Sequence, residues 1–250
     1  MPLQAERAEP ALSEVEGSAR STQESMKRPR RAEAPESTKE LTSLALQACL
    51  VAKDASANLR DYIQNSSKMA MLAVKDCEKE LDRLERRIDE QITSAITEVT
   101  ESEARQLLAC LKFIIDLERI GDLTWSVAKL LQKLPTRLQP KDARDLMDMT
   151  EVLEKMLERV HKGFASRDLD SATWVMRTDS EIDQACHAIF RRHLSSSDAS
   201  TRDYSTNLLL MAQAIERAGD HTKNLGEELF HLVEGRSLRH EGKKSRTAAQ

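Results

Sequence analysis

Turn-forming residues are scarce in this chain. Of 250 residues, seven are glycine and six proline. No glycine falls between Gly17 and Gly121, and no proline between Pro35 and Pro135. Hairpin-rich β folds need turn residues about every 8–12 positions, and doubly wound α/β folds need glycine-rich turns, so both classes are disfavoured. Aromatic residues are as rare, with Phe 4, Trp 2 and Tyr 2. Trp125 and Trp174, at helical positions, are expected in the core or in a groove. The four cysteines, Cys49, Cys77, Cys110 and Cys186, lie far apart with no CxxC pair, which argues against a disulfide framework or a zinc motif. Each sits among apolar residues at helical spacing, as a free thiol in a reducing cytoplasm would. No stretch approaches the ~18 uninterrupted apolar residues of a membrane span, and Met1 to Glu16 lacks the apolar core of a signal peptide, so no membrane insertion is expected. A net charge of −4, from 38 basic and 42 acidic residues, gives no global case for nucleic acid. GxSxG, P-loop and HExxH motifs are all missing, and with them any activated nucleophile or phosphate cradle; the chain reads as a non-enzyme.

With 40% hydrophobic and 32% charged residues, a helical core is what remains. Residues 1–37 hold few apolar side chains and are expected to be disordered. From Ser37, with Glu40 three residues on, a capping-box pattern signals a helix start. Apolar periodicity then predicts helices at about 38–65, 67–99, 101–134, 141–165, 168–195 and 201–235, with a basic tail over 236–250. The helices group three and three around the Pro135 to Pro140 break. An internal repeat supports the grouping: Glu118-Arg119-Ile120-Gly121-Asp122-Leu123-Thr124 returns 98 residues later as Glu216-Arg217-Ala218-Gly219-Asp220-His221-Thr222. The expected architecture is therefore all-α, two pseudo-symmetric antiparallel three-helix bundles over 38–135 and 140–235.

The repeat carries acidic pairs. Residues four apart share a helix face, so Glu118 points with Asp122 and Glu216 with Asp220. Like charges at that spacing cost a helix roughly 0.2–0.5 kcal/mol, and a mid-helix glycine about 1 kcal/mol against alanine. Both costs recur at matching positions. The glycine is explained by a close approach of another helix, since Gly121 continues the apolar line of Leu107, Cys110, Ile114 and Leu117. A second helix in each half offers acidic partners: Glu78 and Asp82, running on into Glu85 and Asp89, and later Asp179 and Asp183. Asp76 and Glu80 leave the register of the first set open. One antiparallel hairpin separates the pairs in each half, so they can face each other. Two readings follow. The carboxylates are bridged by cations, with oxygen donors favouring Mg, Mn or Ca while Fe and Zn also accept them. Alternatively they form a solvated acidic face paired with Arg83, Arg86, Arg119 and Arg217.

Asp116-Leu117-Glu118-Arg119-Ile120-Gly121-Asp122, Ile215-Glu216-Arg217-Ala218-Gly219-Asp220-His221 and Asp179-Ser180-Glu181-Ile182-Asp183-Gln184, with the closing Val233-Glu234-Gly235 to Leu238-Arg239-His240, resemble the PhoU family over about residues 38–240. That resemblance implies a cytoplasmic negative regulator of phosphate uptake. Its implied partners are the ATPase of the phosphate ABC transporter and the phosphate-sensing histidine kinase, and its implied assembly is a homodimer. It also implies a multinuclear metal cluster in each bundle, of Mg, Mn, Zn or Fe. Carried over, Glu78, Asp82, Glu118 and Asp122 would form the first site, and Asp179, Asp183, Glu216 and Asp220 the second. The family's asparagine four residues after the motif aspartate is kept as Asn224 and replaced by Ser126 in the first repeat. A ferritin-like di-metal alternative would use the ExxH pairs Glu158/His161 and Glu228/His231, which occur in the second half alone. A further alternative is a helical adaptor without metal, whose acidic pairs only set interhelical charge pairing. His221 is expected beside the acidic set or facing solvent, since Leu123 holds the equivalent position.

Overall fold

A computed structural model describes residues 36–194 and 202–235. The expected disorder before residue 36 and the basic tail after residue 235 lie outside the described residues. The helices are α1 (Glu36–Asn65), α2 (Lys68–Ala95), α3 (Glu101–Lys133), α4 (Pro140–Ser166), α5 (Leu169–Leu194) and α6 (Arg202–Glu234), with a single 3₁₀ turn at Ile96–Glu98. The described residues contain no strand.

The helix ends show how a chain short of glycine makes its turns. Ser66, between α1 and α2, has φ 53°, and Arg167, closing α4, has φ 60°. Both occupy the left-handed region that glycine usually fills. Ser67 caps α2 by accepting from the Ala70 amide at 3.3 Å. Asp168 caps α5, its carboxylate accepting from the Asp170 and Ser171 amides at 3.0 and 3.2 Å. Pro140 occupies the first turn of α4, where its missing N–H is not needed.

The capping box expected at Ser37 forms elsewhere. Ser37 lies inside α1, and Glu40 reaches across to α2, accepting from Arg87 at 2.6 Å and Gln91 at 3.3 Å. A reciprocal box does open α3: Glu103 N–H donates to Thr100 Oγ1 at 3.4 Å, and Thr100 N–H to Glu103 Oε2 at 2.8 Å. Such a cap stabilises a helix by about 1 kcal/mol.

Helices α1, α2 and α3 pack on one another, as do α4, α5 and α6, giving the two three-helix bundles. The bundles also share a seam, α3 lying along α6 and α1 along α4, so one continuous apolar core runs through both. Ser56 Oγ donates to the Thr150 carbonyl at 3.0 Å across α1 and α4. On the other side of the seam, Lys112 pairs with the buried Glu228 at 2.9 Å, and Asp116 accepts from His221 at 2.7 Å. Residue numbers rise along α3 as they fall along α6, so the two run antiparallel. One end of the second bundle is tied by the buried Asp142, which accepts from Tyr204 at 2.7 Å, Arg192 at 2.5 Å and His193 at 3.1 Å. Burial pushes the Asp142 carboxyl up, but these donors outweigh it and hold it below its usual range.

Two facing acidic surfaces as the candidate functional site

Helices α2 and α3 pack closely at Gly121. A Cβ there would stand 2.5 Å from Leu81 Cδ1 and 3.7 Å from the Glu78 Cα, so the missing side chain leaves the space that the Leu81 side chain fills. Gly219 plays the same part in the second bundle, where a Cβ would meet Ile182 Cδ1 at 3.0 Å and Asp179 Oδ1 at 3.3 Å. The glycines that cost helix propensity thus bring the flanking carboxylates of one helix against those of the next.

In the first bundle the electrostatic consequence is clear at Glu118. Its carboxyl is pushed up to about 7, first by burial and next by Asp122, with Glu85 and Asp82 adding and the Arg119 cation opposing. Glu78 is raised by burial, then by Asp82 and Asp122. Glu85 is raised as well, by burial and then Asp89, with Asp82 contributing. Cations answer from the rim: Arg119 stands 3.5 Å from both Glu118 and Asp122, and Arg86 3.6 Å from Asp82.

The second bundle compensates differently. Asp179 is buried, 1% exposed, and Lys223 from α6 donates to its Oδ2 at 2.7 Å. Asp179 Oδ1 is buried with no hydrogen-bond partner. Glu216 is raised by burial, then by Asp220, Asp183 and Asp179. Asp183 is raised by burial, then by Asp179 and Asp220. Cys186 stands with them, its thiol pushed up to about 11 by burial, then by Glu216 and Asp183.

All eight sequence-predicted carboxylates therefore lie in two clusters, four per bundle: Glu78, Asp82, Glu118 and Asp122, then Asp179, Asp183, Glu216 and Asp220. As the side chains stand, no three His, Cys, Asp or Glu among the described residues are close enough to hold a metal ion. The ExxH glutamates are engaged by lysines, Glu158 by Lys162 at 2.5 Å and Glu228 by Lys112 at 2.9 Å, with His231 Nδ1 3.7 Å from Glu228. Trp125 and Trp174 are partly buried against the core, with Lys75 and Lys129 over the first ring and Arg159 over the second.

Sequence reasoning missed Lys223 and the register that brings Glu85 to the first surface. Glu85 joins the first surface, at the place Cys186 takes in the second once Leu81 and Ile182 are superposed as the residues facing the glycines. The run Glu78-Asp82-Glu85 was visible in the sequence, but its register against α3 was not. Lys223 carries no motif signal in the sequence, yet its amine crosses to α5. His221 neither joins the acidic set nor faces solvent freely; its Nδ1 lies 2.7 Å from Asp116, which Asn224 also approaches at 3.4 Å.

A family model described as the PhoU domain matches this chain twice, over residues 45–131 and 146–229. The chain is 32% identical over 187 residues to a phosphate-specific transport system accessory protein PhoU homolog of Burkholderia sp, covering 72% of this chain and 80% of the relative. It is 31% identical over 170 residues to the accessory protein PhoU of Escherichia coli K12, covering 66% and 70% of the two chains. The crystal structure of PhoU from Pseudomonas aeruginosa superposes with a TM-score of 0.75 at 23% identity, over 80% of this chain and 98% of that one. Two matched repeats, two glycine-centred helix contacts and the shared six-helix fold agree: this chain belongs to the PhoU family.

Proposed function

We propose that this protein is a cytoplasmic accessory regulator of phosphate transport, which damps uptake and phosphate-starvation signalling without turning over a substrate. The relatives it resembles are named for a phosphate-specific transport system. Its partners are the transporter ATPase and a phosphate-sensing histidine kinase, and it acts as a homodimer. The observation that carries the reading is the duplicated arrangement of four carboxylates around a helix-interior glycine.

The two surfaces bind divalent or trivalent cations. The donors are carboxylate oxygens, suited to hard ions, and Asp179 Oδ1 is a buried acceptor with its hydrogen-bonding capacity unused. Glu78, Asp82, Glu118 and Asp122 would hold the first set, and Asp179, Asp183, Glu216 and Asp220 the second. Bound cations supply the positive charge that four neighbouring carboxylates lack. Lys223 must release Asp179 Oδ2 for both oxygens to be offered. Neutralised in this way, the acidic surfaces become a docking face for the partner.

The test is elemental analysis and titration of the purified chain with Mn, Fe, Mg and Zn after chelator treatment, beside the double variant Glu216→Gln/Asp220→Asn. Saturable binding lost in the variant, with derepression of a phosphate-starvation reporter, supports the reading. An adaptor that needs no metal is favoured by the Lys223–Asp179 pair, which already balances part of the charge. It would be preferred if no ion binds and partner pull-down is unchanged by chelator.

A further inference from the structure

Away from the acidic surfaces, the described start of α1, the second turn of α3 and the C-terminal end of α4 line an open cavity of about 390 Å3. Leu46 and Phe164 give it an apolar floor, and Phe164 is fixed there by stacking on Phe113 with ring centroids 4.3 Å apart. Lys39 and Arg167 are the exposed cations at its mouth. The position of Arg167 is set through a chain of contacts. Its guanidinium donates to Gln106 Oε1, and Gln106 Nε2 donates to Thr42 Oγ1 at 3.0 Å. Thr42 Oγ1 in turn donates to the Thr38 carbonyl at 2.8 Å.

Thr38 itself breaks the pattern. It lines the cavity, is 2% exposed, and its Oγ1 has no hydrogen-bond partner. Buried hydroxyls are ordinarily paired, and Thr42, one helical turn later, is paired twice. Arg167 is also an unusual choice at its position, because φ 60° at a helix C-terminus favours glycine, which has no side chain to offer. A donor left unsatisfied, a guanidinium held by a buried glutamine and an apolar floor together describe a ligand with a negative head and an apolar body. The volume is within the range of small-molecule sites and larger than an inorganic oxyanion needs.

We propose that this cavity binds a small organic anion, its phosphate or carboxylate head taken by Arg167, Lys39 and Thr38 Oγ1, and its apolar body laid on Leu46 and Phe164. The site is separate from the acidic surfaces and does not depend on their binding cations.

Isothermal titration of the full chain with phenyl phosphate, phenylacetate, inorganic phosphate and benzyl alcohol tests it. One-to-one saturable binding of phenyl phosphate or phenylacetate is expected, at least about ten-fold tighter than inorganic phosphate or benzyl alcohol. Thr38→Val keeps the shape and removes the unpaired hydroxyl, so it should weaken binding about ten-fold with no fall in Tm. Arg167→Gly suits the left-handed backbone, stays folded by circular dichroism, and should abolish saturation. The proposal is overturned if neither organic anion saturates, if inorganic phosphate binds as tightly, or if both variants bind like the wild type. A fall in Tm on Thr38→Val would also overturn it, because the hydroxyl would then be serving the fold.

Discussion

The acidic surface of the first bundle and that of the second are built on the same helix contact yet balance their charge by different means. Around Gly121 the first gathers Glu78, Asp82, Glu85, Glu118 and Asp122, and its cations stand on the rim. Around Gly219 the second has Cys186 where Glu85 would be and Lys223 where the first has Trp125, so a lysine is drawn onto its most buried carboxylate. Carboxyls are raised on both surfaces, Glu78, Glu85 and Glu118 on the first and Asp183 and Glu216 on the second, and the second adds an internal ion pair between Lys223 and Asp179. The same backbone frame tolerates both because the glycine contact is set by Leu81 and Ile182 rather than by the charges.

The sharpest way to break this contrast is to remove the lysine. Lys223→Met leaves Asp179 buried and unpaired and should cost about 2–3 kcal/mol in urea unfolding, most of it restored by adding Asp179→Asn. Arg119→Met, on the first surface, should cost under about 1 kcal/mol, since its partner Asp122 is exposed enough for water to screen the pair. Equal losses would erase the distinction.

Glycine replacement comes next. Gly121→Ala forces Leu81 aside and should destabilise by roughly 1–2 kcal/mol even after the gain in helix propensity. Gly219→Ala meets longer contacts and should fall within about 0.5 kcal/mol of the wild type. Thermal or urea unfolding of the two variants decides it, and a reversed order would mean the second contact is the tighter.

The pH dependence is smaller. Glu118 has its folded-state carboxyl raised to about 7, above the ordinary value of 4.5, so the folded protein holds the proton more strongly. Stability from this group is greatest below pH 4.5 and is lost as pH rises through 7. Glu118→Gln should therefore gain about 1 kcal/mol over the wild type at pH 8 and nothing at about pH 4. A parallel offset at both pH values would remove proton retention from the account. Smallest of all, Glu85→Gln should lower the midpoint of that Glu118-dependent change by a few tenths of a pH unit, of the order expected for a partly screened neighbour.

Much of this was legible before the fold was seen. Helical periodicity and the missing turns gave six helices, and the repeat gave their pairing, because both are local patterns that survive packing unchanged. The eight carboxylates were legible for the same reason, since four-residue spacing places them on one face whatever the helix packs against. What escaped depended on neighbours remote in sequence. Lys223 is three residues from Asp220 and looks like its local partner, yet its amine goes to Asp179, 44 residues back. His221 looked peripheral because its equivalent is Leu123, but its partner Asp116 belongs to the other bundle. Ser37 and Glu40 carry a capping pattern inside a helix, where Glu40 finds better partners in Arg87 and Gln91. The left-handed turns at Ser66 and Arg167 carry no glycine to announce them.

The seam has a mechanical consequence. The two motif helices, α3 and α6, are themselves the contact between the halves, and α1 against α4 braces them from a second line. A molecule joined along two lines has no single axis about which one half can swing, so it lacks the hinge by which many paired-domain proteins open and close. A load on either acidic surface must pass as strain through packed side chains, with Asp116 and His221 at the crossing point.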